Sequence, residues 1–144
     1  MFHNAHTAVM AKAGSYDNSG RLKVPTVRAT VEPPYSILFI SGDRRSETPA
    51  PDGAHLRWSD KAITITCLNE QDGPTSLAMG PASDFLAEGT PVFDGEIETK
   101  RREVVVSTAE LDVVLRAAVP STRTRLRIWD NHPTEPDIIL IGLN

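Results

Sequence analysis

The sequence predicts an all-β protein, an antiparallel two-sheet sandwich or flattened barrel of about eight or nine strands. Apolar and polar residues alternate with a period of two in several segments, as expected for strands with one buried face. Eleven prolines divide the chain of 144 residues into short pieces, which favours short strands over long helices. Turn signals separate these pieces at intervals of roughly 8–15 residues, a spacing typical of sandwiches and barrels.

The length of the chain fits one domain, which we place at residues 24–144, preceded by a flexible arm at residues 1–23. The arm lacks periodicity and holds a loop-like run at residues 14–20 that is rich in glycine, serine and asparagine. His3 and His6 have a helical spacing that suits metal ligands, but no acidic or cysteine partner follows them. We therefore expect no metal site and no cofactor.

Composition indicates a globular, soluble protein, since 40 % of the residues are hydrophobic and 24 % are charged. The net charge of −4 argues against a general nucleic-acid binder, which usually carries a basic surplus. Cys67 is the single cysteine, so no internal disulfide can form and a reducing compartment is expected. The first residues lack the apolar stretch of a secretory signal, and no run reaches the roughly 20 apolar residues of a membrane span. We expect a cytoplasmic protein without membrane or nucleic-acid partners.

The first half of the domain contains the simplest strand predictions. Residues 24–32 alternate well between apolar and polar side chains, and two prolines follow them. Residues 35–41 form the most apolar upstream segment and suit a central strand. Residues 55–58 and 62–68 predict a hairpin, and residues 76–79 predict a short strand.

Two charged stripes distinguish the second half. In one segment every second residue carries a carboxylate: Asp94, Glu96 and Glu98. In another, every second residue carries a guanidinium: Arg123, Arg125 and Arg127. Opposite charges on neighbouring strands stabilise a sheet, and like charges directly opposite one another destabilise it. We therefore favour two neighbouring strands whose charges pair, and we keep open two separate surfaces for partners of opposite charge.

The remaining segments of the second half leave a choice. Residues 103–115 contain two apolar segments that meet near Ser107, which predicts either a bulge in one long strand or a tight turn between two strands. Residues 137–143 form an almost unbroken apolar run. A strand buried on both faces or a short buried helix would explain the run, and its β-branched residues favour the strand.

No catalytic residue is predicted. The sequence has no glycine-rich phosphate loop, no HExxH or CxxC motif and no nucleophile elbow. Cys67 lies in the apolar phase of a strand with no histidine nearby in sequence, so we expect a small buried hydrophobic residue. Asp60, Asp130 and Asp137 lie at strand ends and in turns, where aspartate also has purely structural roles.

The order of the predicted strands carries a resemblance. An opening strand, YSILFIS, precedes a loop and a tryptophan-containing hairpin, AHLRWSDKAITI. The edge-like segment EVVVSTAELDVVL follows, and the strand pair RLRIWD and DIILIGL closes the sheet. Over residues 27–143 this order resembles the competence-protein-J-like family of small β-sandwich proteins, which includes a nuclease inhibitor. The resemblance implies a non-catalytic binding protein that inhibits another protein. The segment AVPSTRT lacks the Pro-Gly-aromatic signature expected before RLRIWD, so no functional residue is transferred.

A cytosolic protein-binding module is the first functional hypothesis, with an inhibitor or immunity-type partner of a nuclease or toxin as its sharpest form. Arginine and tryptophan often anchor interfaces, which gives these candidate contacts: Arg123, Arg125, Arg127, Trp129 and the GDRRS loop at residues 42–46. Trp129 is expected to be exposed on the arginine face. Alternatively, the acidic stripe would enter the basic groove of a nucleic-acid enzyme and imitate phosphate.

Two further classes stay open. A small-molecule-binding β-sandwich, or an enzyme of unrecognised class, would be favoured by a large interior pocket lined with polar groups. A structural subunit would form homo-oligomers through exposed strand edges.

Overall fold

Two six-stranded sheets face each other across the core. The structure, a computed structural model, describes the backbone of residues 6–7, 9–10, 15–16 and 22–144, and the side chains of residues 24–144. The fourteen strands within these ranges are β1 (His6–Thr7), β2 (Val9–Met10), β3 (Ser15–Tyr16), β4 (Leu22–Lys23), β5 (Val27–Val31), β6 (Ile37–Ser41), β7 (Leu56–Trp58), β8 (Ala62–Thr66), β9 (Thr75–Pro81), β10 (Phe93–Glu98), β11 (Glu103–Thr108), β12 (Val113–Ala118), β13 (Arg123–Asp130) and β14 (Ile138–Leu143). The predicted flexible arm and its two histidine side chains lie mainly outside the described residues.

The strand order defines a sandwich. Sheet A has the order β1-β5-β9-β14-β13-β10, sheet B has the order β2-β12-β11-β6-β8-β7, and β3 pairs with β4. Most neighbours are antiparallel, but β9 runs parallel to β14 and β2 runs parallel to β12. Over the described residues neither sheet closes on itself, so the all-β sandwich is confirmed and the flattened barrel is not formed. Ten of the strands have three or more residues, against the eight or nine predicted.

Alternation along the strands decides which side chains form the core. In β13, Leu126 and Ile128 are fully buried between the sheets, while Arg125 points outward to solvent, as the period of two predicts. The largest fully buried side chains are Leu38, Ile40, Ile63, Ile65, Met79, Ile97, Leu115, Leu126, Ile128, Ile139, Ile141 and Val31. Complete burial of each such side chain stabilises the fold by about 1.5–3 kcal/mol, and the core holds the two sheets face to face.

The apolar run at residues 137–143 is a strand, because β14 lies in the middle of sheet A and is covered on both faces. Ile139 and Ile141 enter the core, while Leu140 packs on the opposite face against Trp129. Within the described residues, helices occur only as three-residue 3₁₀ turns, which are Pro34–Ser36, Glu70–Asp72, Ala82–Asp84 and Leu86–Glu88. The last two turns fold over the outer face of β14. A Cβ at Gly142 would lie 2.9 Å from Ala82 and from the Trp129 ring, so glycine permits this close cover.

Residues 103–115 contain both features that the sequence left open. A tight turn separates β11 from β12, and a shift of register between Val106 and Ser107 marks a bulge just before it. The Thr108 hydroxyl accepts hydrogen bonds from the backbone amides of Glu110 and Asp112, and Leu111 adopts a left-handed conformation with φ of 67°. The turn is therefore built by a side chain that replaces strand pairing with local hydrogen bonds.

No helix among the described residues is long and apolar enough to cross a membrane.

Candidate functional site

The charged stripes lie side by side on the outer face of sheet A. β10 and β13 are antiparallel neighbours, and their register places these residues opposite one another: Asp94 and Arg127, Glu96 and Arg125, Glu98 and Arg123. The backbone amide of Thr99 donates to the carbonyl of Thr122 on the partner segment, whereas that of Glu98 points away from β13. The three charged pairs therefore occupy the positions without backbone hydrogen bonds, where opposed side chains approach most closely. The favoured interpretation, neighbouring strands with pairing charges, is confirmed.

The ion pairs themselves run diagonally across the two strands. Arg125 donates two hydrogen bonds to Asp94, from Nε at 2.8 Å and from Nη2 at 2.7 Å. Arg123 Nε donates to Glu96 at 3.2 Å. This stagger directs Glu98 to Lys100, at 3.5 Å. It also leaves Arg127 without an ion pair or a hydrogen-bond partner for its buried Nε among the described residues.

The Arg125–Asp94 pair is joined by two hydrogen bonds, whereas the described Arg123–Glu96 pair has one. The hydrogen bond from Arg125, and then its positive charge and that of Arg127, lower the pKa of Asp94 below its ordinary value. The same contact raises the pKa of Arg125. Both side chains are nearly half exposed, so water and salt screen the attraction, and the pair can exchange partners at little cost.

The expected exposure of Trp129 is wrong. Trp129 does share the face of the three arginines, but only 4 % of it is exposed because the turns at residues 82–88 cover it. Its ring centroid lies 6.0 Å from that of Phe85, and its Nε1 donates to the carbonyl of Gly89 at 2.9 Å. Trp129 therefore anchors the turns at residues 82–88 to sheet A next to the arginine stripe, and it is too buried to contact a partner.

An exposed tryptophan that the sequence did not single out lies beside the acidic stripe. Trp58 in β7 is 63 % exposed, and its ring meets the Phe93 ring of β10 edge-on with centroids 5.6 Å apart. β7 and β10 are the last strands of the two sheets on this side of the sandwich, and no further strand among the described residues pairs with them. A cleft of about 360 Å³ there is lined by the two rings and by three carboxylates, those of Asp60, Asp94 and Glu96. Alternation at residues 55–58 places Trp58 on the same face as Leu56, but this local pattern does not reveal that no strand of the described residues covers Trp58.

A second unpredicted feature is a histidine–aspartate pair that joins the sheets. His55 Nε2 lies 2.5 Å from Asp130 Oδ2, and His55 Nδ1 lies 2.8 Å from Thr66 Oγ1. The Thr66 hydroxyl donates to the carbonyl of Thr134, so it accepts from His55 Nδ1. Both ring nitrogens are engaged. The pair therefore acts as a connection between β13 and the segment before β7, with no free nitrogen to take a proton from a substrate.

An open cleft of about 560 Å³ lies next to this pair. Two of its lining residues, Tyr35 and Ser36, have left-handed backbone conformations with φ of 61° and 59°. Cys67 borders it as well, but the thiol is buried, and burial followed by the charge of Asp130 raises its pKa to about 12. The prediction of a small buried residue at Cys67 is confirmed.

The GDRRS loop at residues 42–46 lies between β6 and β7 of sheet B and packs against the end of β10 in sheet A. Asp43 accepts a hydrogen bond from the amide of Arg45 at 2.9 Å and forms an ion pair with Arg101 at 3.5 Å. A Cβ at Gly42 would clash with the carbonyl oxygen of Glu98 and lie 3.0 Å from the Cα of Thr99, so glycine permits the loop to approach the end of β10 closely. Across the described residues, no group of three histidine, cysteine or carboxylate side chains is placed to hold a metal ion.

Comparison with known proteins relates this fold to one solved structure. No protein-family model and no curated protein matches the chain. It is similar to the crystal structure of ComJ from Bacillus subtilis, an inhibitor of the DNA-degrading activity of NucA. The TM-score is 0.59 over 83 % of this chain and 96 % of that chain, with 10 % sequence identity. Likeness at this level of identity concerns the fold. The resemblance read from the strand order is thus confirmed, and the chain has the fold of ComJ.

Proposed function

We propose that this protein is a non-catalytic, cytoplasmic protein-binding module that inhibits a nuclease or toxin, as an immunity protein does. The observation that carries the proposal is the exposed Trp58 beside three carboxylates at the open side of the sandwich. Tryptophan is enriched among the residues that contribute most to binding, and exposed apolar surface rimmed by polar groups is typical of interaction sites. The likeness to a nuclease inhibitor supports the same role, although it concerns the fold alone.

The charged stripes are the proposed polar part of the contact. Their ion pairs are half exposed, so a partner can open them and replace each internal contact by one of its own. The acidic members, Asp94 and Glu96, also border the Trp58 cleft, whose lining contains no cation. They suit the basic groove of an enzyme that acts on nucleic acids. Arg127, which lacks an ion pair among the described residues, suits a carboxylate of the partner.

The test begins with capture of partners by the tagged protein from its native lysate, followed by mass spectrometry. Any captured enzyme is then assayed for DNA or RNA degradation with increasing amounts of purified protein. The proposal expects activity to vanish near one equivalent. Capture of no enzyme, or an enzyme whose activity is unaffected at saturation, would contradict it.

Charge reversals locate the contact. Arg125→Glu and Glu96→Lys each replace one member of a stripe, and we expect each to weaken inhibition at least about tenfold, since contacts between close charge pairs couple strongly at interfaces. Arg28→Glu is the matched control, because Arg28 is exposed on the same face of sheet A, on β5, away from β10 and β13. Equal inhibition by all three variants would exclude the stripes from the interface.

The alternative function, a small-molecule-binding sandwich or an enzyme of unrecognised class, is supported by the cleft beside His55, which has the volume of a ligand site. Screening of small molecules for an increase in melting temperature tests it. A ligand whose effect is lost in Thr66→Val would favour this function over the inhibitor.

A further inference from the structure

The outer edge of β10 carries backbone groups that no strand of the described chain uses. β10 ends sheet A, and its amides alternate in direction. The amide of Glu98 points away from β13 and donates to the carbonyl of Asp60 at 2.7 Å. Two and four residues earlier, the amides and carbonyls of Glu96 and Asp94 share that outward direction. Two donors and two acceptors therefore face the open side of the sandwich.

The cleft beside Trp58 lies along this same edge. Its lining includes Val92 and residues 93–96 of β10 on one side, and Trp58 with the two residues after it on the other. Trp58 is 63 % exposed and its ring meets that of the core-facing Phe93, so the wall on the core side of the edge is apolar. On the other side of the edge stand the carboxylates of Asp94 and Glu96. An extended segment added here would meet apolar surface with one set of alternate side chains and carboxylates with the other set.

Charge decides which segment fits. A second copy of β10, paired antiparallel about Gly95, would place Asp94 opposite Glu96 of the other copy, and like charges directly opposite destabilise a sheet. A strand with basic outward side chains would instead extend the pattern already present, in which arginines on β13 flank carboxylates on β10. Charge complementarity therefore selects a foreign basic segment over self-association.

We propose that a partner protein adds an extended segment to the free edge of β10, with arginine or lysine side chains toward Asp94 and Glu96 and apolar side chains toward Trp58. This deepens the proposed function, on which it rests, by naming the mode of contact and the chemistry of the partner segment. The main-chain hydrogen bonds supply affinity, and the alternation of basic and apolar side chains supplies selectivity.

The direct test is amide hydrogen exchange of the whole protein with a short synthetic peptide of alternating arginine and valine as the probe. On saturation, exchange at Asp94 and Glu96 should slow at least about tenfold, because their outward amides become hydrogen-bonded. The amide of Gly95 points toward β13 and serves as an internal control that should not change. A peptide of alternating glutamate and valine should give no protection. Protection with both peptides, or with neither, would overturn the proposal.

Two variants at one position separate backbone pairing from charge. Glu96→Gln removes the carboxylate and keeps the outward amide. Glu96→Pro removes both and leaves the β13 ladder intact, since that amide does not face β13. Affinity for the basic peptide should fall about tenfold further in the proline variant than in the glutamine variant, as expected for loss of main-chain hydrogen bonds. Equal affinities would overturn the strand-addition mode.

The outcomes also distinguish this inference from the inhibitor function. A captured enzyme that is inhibited equally well by Glu96→Pro and by the unchanged protein would refute strand addition while the inhibitor function stands. Protection by the peptide without inhibition of any enzyme would refute the inhibitor function while the edge site stands. A homodimer in sedimentation experiments that dissociates on Glu96→Pro would show that a second copy occupies the edge and would refute the foreign basic segment.

Discussion

Replacing Asp130 by asparagine should weaken the connection between the two sheets. Asp130 is in sheet A, and its carboxylate lies 2.5 Å from a ring nitrogen of His55, which precedes β7 of sheet B. The second ring nitrogen is engaged by Thr66, so the ring cannot reorient without losing another hydrogen bond. Asparagine has nearly the same shape as aspartate, and the substitution therefore removes charge and an acceptor with little change in packing.

The expected loss follows from burial. The side chain of Asp130 is 3 % exposed and that of His55 is 16 % exposed. Loss of a hydrogen bond to a charged group, with its buried partner left unsatisfied, lowers the free energy of unfolding by about 1–3 kcal/mol. Because the side chain of Asp130 is almost fully buried, we expect the upper end, about 3 kcal/mol. For a chain of 144 residues this corresponds to a fall in melting temperature of roughly 10 °C.

Urea unfolding of four proteins provides the measurement: the unchanged chain, Asp130→Asn, His55→Gln and the double variant. The double variant should be more stable than the sum of the single losses predicts, by at least about 1 kcal/mol, because the two side chains share one interaction. Asp52→Asn is the matched control, since its ion pair with Arg57 is half exposed and should contribute about 0–1 kcal/mol. If Asp130→Asn destabilises no more than Asp52→Asn, or if the single losses simply add, the reasoning is refuted.

Three further predictions concern other parts of the fold. Gly142→Ala should lower the free energy of unfolding by about 1–3 kcal/mol, because its Cβ would press on the turn that covers Trp129, and unchanged stability in urea would contradict this. Cys67, with its pKa near 12, should resist alkylation at pH 8 in the folded protein and react once urea unfolds it. Because the pKa of Cys67 is higher in the folded than in the unfolded protein, the free energy of unfolding should also fall as the pH rises from about 9 to 12. Asp94→Asn should destabilise the protein modestly at pH 7 and not at all once the pH falls through the lowered pKa of Asp94, since a depressed pKa stabilises the fold only above it; a loss that persists in acid would contradict the ion pair as its cause.

Local patterns in the sequence predict the strands and several of their faces. The alternation in β13 predicts its buried and exposed side chains, because successive side chains of a strand point to opposite faces of the sheet. The opposite charges on two segments predict that β10 and β13 are neighbours, because only neighbouring strands can pair such stripes. These inferences rest on the alternation within one segment or on the opposite charges of two segments.

Features made by distant segments escape this reasoning. Trp129 is buried by a turn some forty residues earlier in the chain, through its bond to Gly89. His55 and Asp130 are separated by 75 residues, and nothing in either segment marks the other as its partner. The exposure of Trp58 depends on the absence of a covering strand at the described edge of the sandwich, which no pattern in residues 55–58 reveals.

The position of β14 affects how the protein assembles during its synthesis. This strand is inserted between β9 and β13, yet it is the last of the described strands to leave the ribosome. The five longer strands of sheet B all lie between residues 37 and 118 and can pair earlier. Sheet A, in contrast, stays divided until residues 138–143 emerge. Until then β9 and β13 each keep an unpaired edge. A chain halted before Ile138 would therefore carry a formed sheet B and an incomplete, aggregation-prone sheet A. Synthesis of β14 is thus the step that completes sheet A.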